Sequence, residues 1–150
     1  MFRELRKLDI PAGDFAIFGS GPLIVRGVIP GANDLDVICR GPAWDYVESI
    51  SLVQYLKDYD VTVATLLDGR LSFGTEWGIG QFNIDELIDE AETIDGLPFV
   101  RVKHVIAYKQ LRGSNKDLQH LEAIRKSNIG SAGLPEWSEC PLYPRNQPFE

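Results

Sequence analysis

The sequence predicts an α+β domain with a small, mixed, mostly antiparallel sheet backed by helices. Three observations point there. Two short apolar runs, 15–19 and 34–39, are separated by turn chemistry. An alternating run over 60–67 folds back at Asp68-Gly69 into 70–74, the strongest short-range hairpin signal in the chain. Stretches with apolar residues at helical spacing lie between and after these runs.

Taken in order, residues 2–8 suit a short helix that Pro11-Ala-Gly13 breaks. Phe15-Ala-Ile-Phe-Gly19 reads as a buried strand, and residues 21–27 as a short helix that tolerates Pro22 in its first turn. Pro30-Gly-Ala-Asn33 is a turn, and 34–39 the second strand. Pro42 opens a helix predicted to run to about Asp58, with Trp44, Val47, Ile50, Leu52, Val53 and Leu56 on a loose stripe. The hairpin 60–74 follows, and then a glycine-rich connection, Trp77-Gly-Ile-Gly80, of no assigned shape. A helix over 83–92 starts at Asn83, with Glu86 at capping-box spacing. Asp95-Gly96 turns the chain, and Pro98 precedes a short extended piece. Residues 101–112 and 115–126 read as two helices parted by Gly113, with Ser114 or Asn115 as cap. The domain is expected over 1–128. Residues 129–150, rich in Gly and Pro, form an irregular tail.

The 150 residues suffice for one core, and the net charge of −7 argues against a broad electrostatic grip on nucleic acid. No apolar run reaches the ~20 residues of a membrane helix. The amino terminus lacks a signal-peptide core, so the expected location is cytoplasmic with no membrane partner. Cys39 and Cys140 are too far apart in sequence for a metal motif and read as free thiols, Cys39 in the core.

The chemistry concentrates in Gly19-Ser20 and, thirteen residues later, Asp34-Leu35-Asp36. Residues two apart in a strand share a face, so Asp34 and Asp36 present their carboxylates side by side. Such a pair repels itself unless a cation or a proton intervenes. Hard oxygen donors suit Mg2+ (or Mn2+), which is commonly held by one or two carboxylates together with substrate phosphates. Gly19 lets the backbone approach a ligand, and Ser20 sits where it can cap a helix whose start attracts phosphate. Asp34 alone is also good turn chemistry after Asn33. Asp36, inside an apolar strand, is costly without a role.

Gly-Ser, a dozen or so residues, then Asp-x-Asp resembles the signature of the DNA polymerase beta-like nucleotidyltransferase superfamily, in its minimal single-domain form. The segment 105–121, with Lys109 and then Lys116-Asp117, is similar to a lysine-then-Lys-Asp helical pair in stand-alone proteins of that type. The resemblance covers roughly residues 15–126. It implies a nucleotidyltransferase-like fold and a metal-dependent transfer of a nucleoside monophosphate from a nucleoside triphosphate to an acceptor. By the same resemblance Asp34 and Asp36 hold the metal, Gly19 and Ser20 meet the triphosphate, and Lys109 and Lys116 reach toward phosphate. The acceptor is left open among a protein side chain, a tRNA end and a small molecule such as an aminoglycoside. Relatives include toxins of toxin–antitoxin pairs, which implies an antitoxin-like partner.

One departure stands out. The family usually carries a third acid on a later strand, and the position expected by chain order, in 70–74, is Ser72. A serine is a weak ligand and no base at neutral pH. Glu76, four residues on, is the candidate substitute if the strand is bulged or longer, and would complete a catalytic set with Asp34 and Asp36, unless the acid is lost altogether; Asp60 is a poorer choice. The alternative function is a catalytically impaired nucleotide-binding or protein-interaction module on the same fold. The bland readings are a solvated acidic helix face for Asp85, Glu86, Asp89, Glu90 and Glu92, and surface or partly satisfied histidines for His104 and His120. Arg26 and Arg40 read as ordinary surface charge, and most of the basic residues of the last third as a solvated face.

Overall fold

The computed structural model describes residues 2–76 and 82–127; the glycine-rich connection at 77–80, the tail and Cys140 lie outside them. Among these residues the order is α1 (Phe2–Arg6), β1 (Phe15–Phe18), α2 (Gly21–Ile24), β2 (Leu35–Cys39), α3 (Gly41–Ile50), β3 (Leu52–Leu56), β4 (Val61–Leu66), β5 (Leu71–Gly74), α4 (Ile84–Asp89), β6 (Glu92–Ile94), β7 (Leu97–Phe99), α5 (Val102–Arg112) and α6 (Asn115–Lys126). The class is α+β. One seven-stranded sheet runs β3-β4-β5-β2-β1-β7-β6. It is mixed and mostly antiparallel: β2 pairs β5, and β1 pairs β7, in parallel, and the other four pairings are antiparallel.

Alternation in the central strands sorts the core onto two faces. Phe15 and Ile17 of β1 join Leu35, Val37 and Cys39 of β2 in a layer with Leu5 of α1 and Ala43 and Val47 of α3. Ala16, Phe18 and Ile38 face the other way, toward Leu87 and Ile88 of α4, Val105 and Ile106 of α5 and Leu121 and Ile124 of α6. Asp36 shares the face of Ile38, so the strand that buries Leu35 and Val37 on one side turns its acid toward α5. Burial pushes the Cys39 thiol up to about 12, which suits an inert core residue.

Turn chemistry does what its residues demand. β4 and β5 are joined by a four-residue loop, 67–70, in which Leu67, Asp68 and Gly69 all have positive φ, rather than by a two-residue turn at Asp68-Gly69. Asp95-Gly96, both at positive φ, is the two-residue turn, joining β6 to β7 with Ile94 opposite Leu97. Asn83 caps α4 by accepting from the Glu86 backbone N–H, and Ser114 and Asp117 form a full capping box on α6 after Gly113 ends α5 in the left-handed region.

Three expectations change. The helix predicted to Asp58 stops at Ile50, and Leu52–Leu56 forms strand β3. The helical stripe is genuine only through Trp44 and Val47. Beyond Ser51, itself extended, five backbone positions of β3 find partners on β4, and a two-sided apolar run serves a strand as well as a helix. β3 is the sheet's border, with Leu52 69 %, Val53 39 % and Tyr55 59 % exposed. The helix predicted over 83–92 ends at Asp89 because Glu92–Ile94 is recruited as β6 against β7. The helix predicted over 21–27 keeps only Gly21–Ile24, closed by the Gly27 and Val28 amides bonding back to Ile24 and Leu23. No helix of the described residues is long and apolar enough to cross a membrane.

Candidate functional site

β1 and β2 pair antiparallel with Phe18 opposite Asp36, and β2 and β5 pair parallel with Asp36 beside Ser72. Asp36 therefore sits mid-sheet, and Ser72 occupies the in-register position expected of the third acid. Gly19, directly after β1, has φ +61, and a Cβ placed there would come within 2.8 Å of Asp36 Oδ2. Both the left-handed backbone and the contact require glycine. The turn and the aspartate are thus neighbours in space as well as in pattern. The Ser20 hydroxyl does not cap α2: its backbone is helical, and it is the Ser20 carbonyl that accepts from Leu23 and Ile24.

Asp34, Asp36, Ser72 and Glu76 line one cleft of about 280 Å³. Phe18, Tyr108 and Arg112 bound it on the α5 side, and Leu56, Tyr59, Val61 and Val63 form an apolar wall from the β3–β4 hairpin. Asp60 does not line it; its carboxylate accepts from the Tyr55 hydroxyl. Burial, then the Asp34 charge, pushes the Asp36 carboxyl up to about 6, against the pull of Arg112, Lys109 and Lys116. The pair is two oxygen donors on one face with a cationic side opposite, the donor chemistry of a hard divalent ion. Among the described residues, however, Asp34, Asp36 and Glu76 are not a trio whose ligand atoms all lie within 4.8 Å of one another; that description fits Glu86, Glu90 and His104 on α4 and α5, which could hold a metal ion.

Lys109 is buried against Asp117. It is 1 % exposed, and its Nζ stands 3.5 Å from Oδ1 of the wholly buried Asp117. Burial lowers the Lys109 amine to about 8, only partly offset by Asp117. Arg112 donates to both Asp117 oxygens at 2.6 and 2.7 Å, and its guanidinium lies 5.1 Å from the centre of the Tyr108 ring. Lys116 is exposed at the start of α6. Neither Lys109 nor Lys116 lines the cleft. Among the described residues the lining cation is Arg112, which composition alone leaves among solvated helix residues. Its signal was the i, i+5 spacing to Asp117 across Gly113, legible only once the helix is known to break there. Burial, then the nearby lysines, lowers His120 to about 4, so its imidazole is neutral at pH 7.

The acidic run 85–92 is not simply solvated. Arg40 holds Asp85 and Asp89 at 2.9 and 2.7 Å together with Asp14, Arg26 pairs with Glu92, and Glu90 meets Lys103 and His104. Compared with models of protein families and with curated protein sequences, the chain matches none.

Proposed function

We propose that this cleft binds a nucleoside triphosphate with a divalent cation, Mg2+ or Mn2+, and that the chain is a nucleotidyltransferase of the DNA polymerase beta-like kind. The observation that carries the reading is a cleft lined by Asp34, Asp36 and Arg112, with Gly19, which does not itself line it, packed against Asp36. Antiparallel β1–β2, a short helix after Gly19-Ser20, and a strand parallel to β2 carrying the third position support the nucleotidyltransferase-like layout.

Asp34 and Asp36 would hold the ion, which when bound neutralises phosphate charge and steadies the leaving pyrophosphate. Gly19 lets the β1–α2 turn pack against the Asp36 carboxylate, and the Ser20 hydroxyl, which makes no cap bond to α2, would be the turn's donor to phosphate. Arg112 faces the cleft as a fixed cation, and buried Lys109 and exposed Lys116 add to the positive potential at Asp36. Glu76, which lines the cleft, is the candidate to take the proton of an attacking hydroxyl.

A second reading has one specific observation behind it: Ser72 stands where the third acid belongs, beside Asp36. On that reading the protein binds nucleotide without transferring it. Calorimetric titration with each nucleoside triphosphate, with and without Mg2+, tests the site. Binding that requires Mg2+ and disappears in Asp36→Asn supports it, and equal binding by that variant overturns it. Incubation with α-labelled triphosphate and cell extract then separates the readings. Label transfer lost in Glu76→Gln supports the enzyme; tight binding with no transfer to protein, RNA or small molecules supports the module. Cytoplasmic location and an antitoxin-like partner rest on the family analogy.

A further inference from the structure

We propose that Glu86, Glu90 and His104 form a second metal site, for a divalent ion of the zinc class, that clamps α4 to α5. This rests on geometry separate from the nucleotide cleft. Glu86 and Glu90 stand one helical turn apart, with the Glu90 amide bonded to the Glu86 carbonyl at 2.9 Å, so both carboxylates leave the same face. His104, in the first turn of α5, closes the group. One ligand atom from each residue lies within 4.8 Å of the others, and His104 Nε2 is 3.3 Å from Glu90 Oε1. Zinc bonds of roughly 2.0–2.2 Å in tetrahedral geometry hold adjacent donors about 3.3–3.5 Å apart, so that pair already has the required spacing.

The support is built. Arg101 Nε donates to the Glu90 carbonyl at 2.7 Å, fixing the end of α4 against the start of α5 three residues before His104. Leu87 and Ile88 of α4 and Val102 and Val105 of α5 are buried together in one core cluster behind the ligands. His104 is largely covered, at 16 % side-chain exposure. An imidazole with two carboxylates favours Zn2+-like ions over Mg2+, which takes oxygen donors and keeps its waters. Three protein ligands leave a position for water or another donor.

One group opposes this: Lys103 Nζ stands 3.7 Å from Glu90 Oε1. It is about half exposed on a flexible stem, and such surface pairs are weak enough to be displaced by a divalent charge.

The test uses the full chain and the metal alone. Zn2+ is titrated in competition with a chromophoric chelator, and the melting temperature is recorded with and without Zn2+. We expect one equivalent to bind and to raise the melting temperature. His104→Gln and Glu90→Gln should each weaken binding at least tenfold and abolish the rise. Lys103→Ala should tighten binding several-fold by removing the competing ammonium. The Asp34→Asn/Asp36→Asn double variant should bind this equivalent unchanged, which keeps the result independent of the nucleotide reading. Affinity within twofold of wild type in both His104→Gln and Glu90→Gln overturns the proposal. Loss of the equivalent in the Asp34/Asp36 variant also overturns it, by assigning the ion to the cleft.

Discussion

Asp36 and Asp117 are the same type of residue, one half-buried at a cleft and the other wholly buried, and their surroundings treat them oppositely. Asp117 is fully buried in a constructed cage. Burial alone would raise its carboxyl, but hydrogen bonds from Arg112 and Ser114 and the charges of Arg112 and Lys109 hold it far below the ordinary value. Asp36 has no such cage; burial and the neighbouring Asp34 push it up to about 6. One carboxylate is satisfied within the fold, and the other is left with charge to spend on something the fold does not contain. The difference teaches where to look for function: not at the most buried acid, but at the half-buried acid whose desolvation the protein leaves uncompensated.

The comparison can be broken most directly at its satisfied end. Asp117→Ala removes the side-chain half of the α6 capping box and the buried carboxylate that faces Lys109. It should cost about 3–5 kcal/mol in chemical denaturation, the range for breaking a buried pair from one side. Loss below 1 kcal/mol would show that the cage is ornamental.

At the other end the sign reverses. With a folded-state value near 6 against an ordinary 3.8, ionised Asp36 burdens the fold at pH 7. Asp36→Asn should therefore stabilise the protein by about 1–3 kcal/mol while losing Mg2+-dependent nucleotide binding. A destabilised variant would mean that Asp36 is held by partners after all.

A smaller effect is expected at the contact between turn and acid. Gly19→Ala must fit a Cβ at positive φ against Asp36 Oδ2, and should cost about 1–2 kcal/mol and weaken nucleotide binding through displacement of the carboxylate. Denaturation curves and titrations on one preparation report both.

The most delicate test is pH. A raised folded-state value favours the fold when the group is protonated, and that advantage is lost as pH rises through about 6. The stability gap between Asp36→Asn and wild type should therefore shrink as pH falls from 7 toward 4. Asp117, held low, contributes stability above about 3.8 that is lost only as pH falls below it. Denaturation of both proteins at pH 4, 5, 6 and 7 reads the closing gap before Asp117 intervenes.

Much of this was written locally. The spacing of Asp34 and Asp36, the need for glycine at 19, the two Asp-Gly hairpins, the Asn83 cap and the break at Gly113 are all short-range chemistry. Each survives into the fold because it answers to the residue itself or its near neighbours. What the sequence hid was long-range. Leu52–Leu56 follows Ile50 without an obvious stop, and only pairing with β4 decides that it is a strand. The 92–94 segment reads as the end of a helix until β7 offers it an edge. Arg112 looked solvated because its partners, Asp117 and the Tyr108 face, converge only after the chain reverses at Gly113. The acidic run around α4 looked bland for the same reason: Arg40 is forty-five residues from Asp85 in sequence.

The border strand β3 has a practical consequence. Among the described residues its outer edge pairs with no strand and lies beside uncovered leucine, valine and tyrosine side chains, the surface on which further strands can grow. Concentrated samples should thus gather into oligomers through this rim, and Leu52→Lys would keep preparations monodisperse without touching the cleft lined by Asp34 and Asp36.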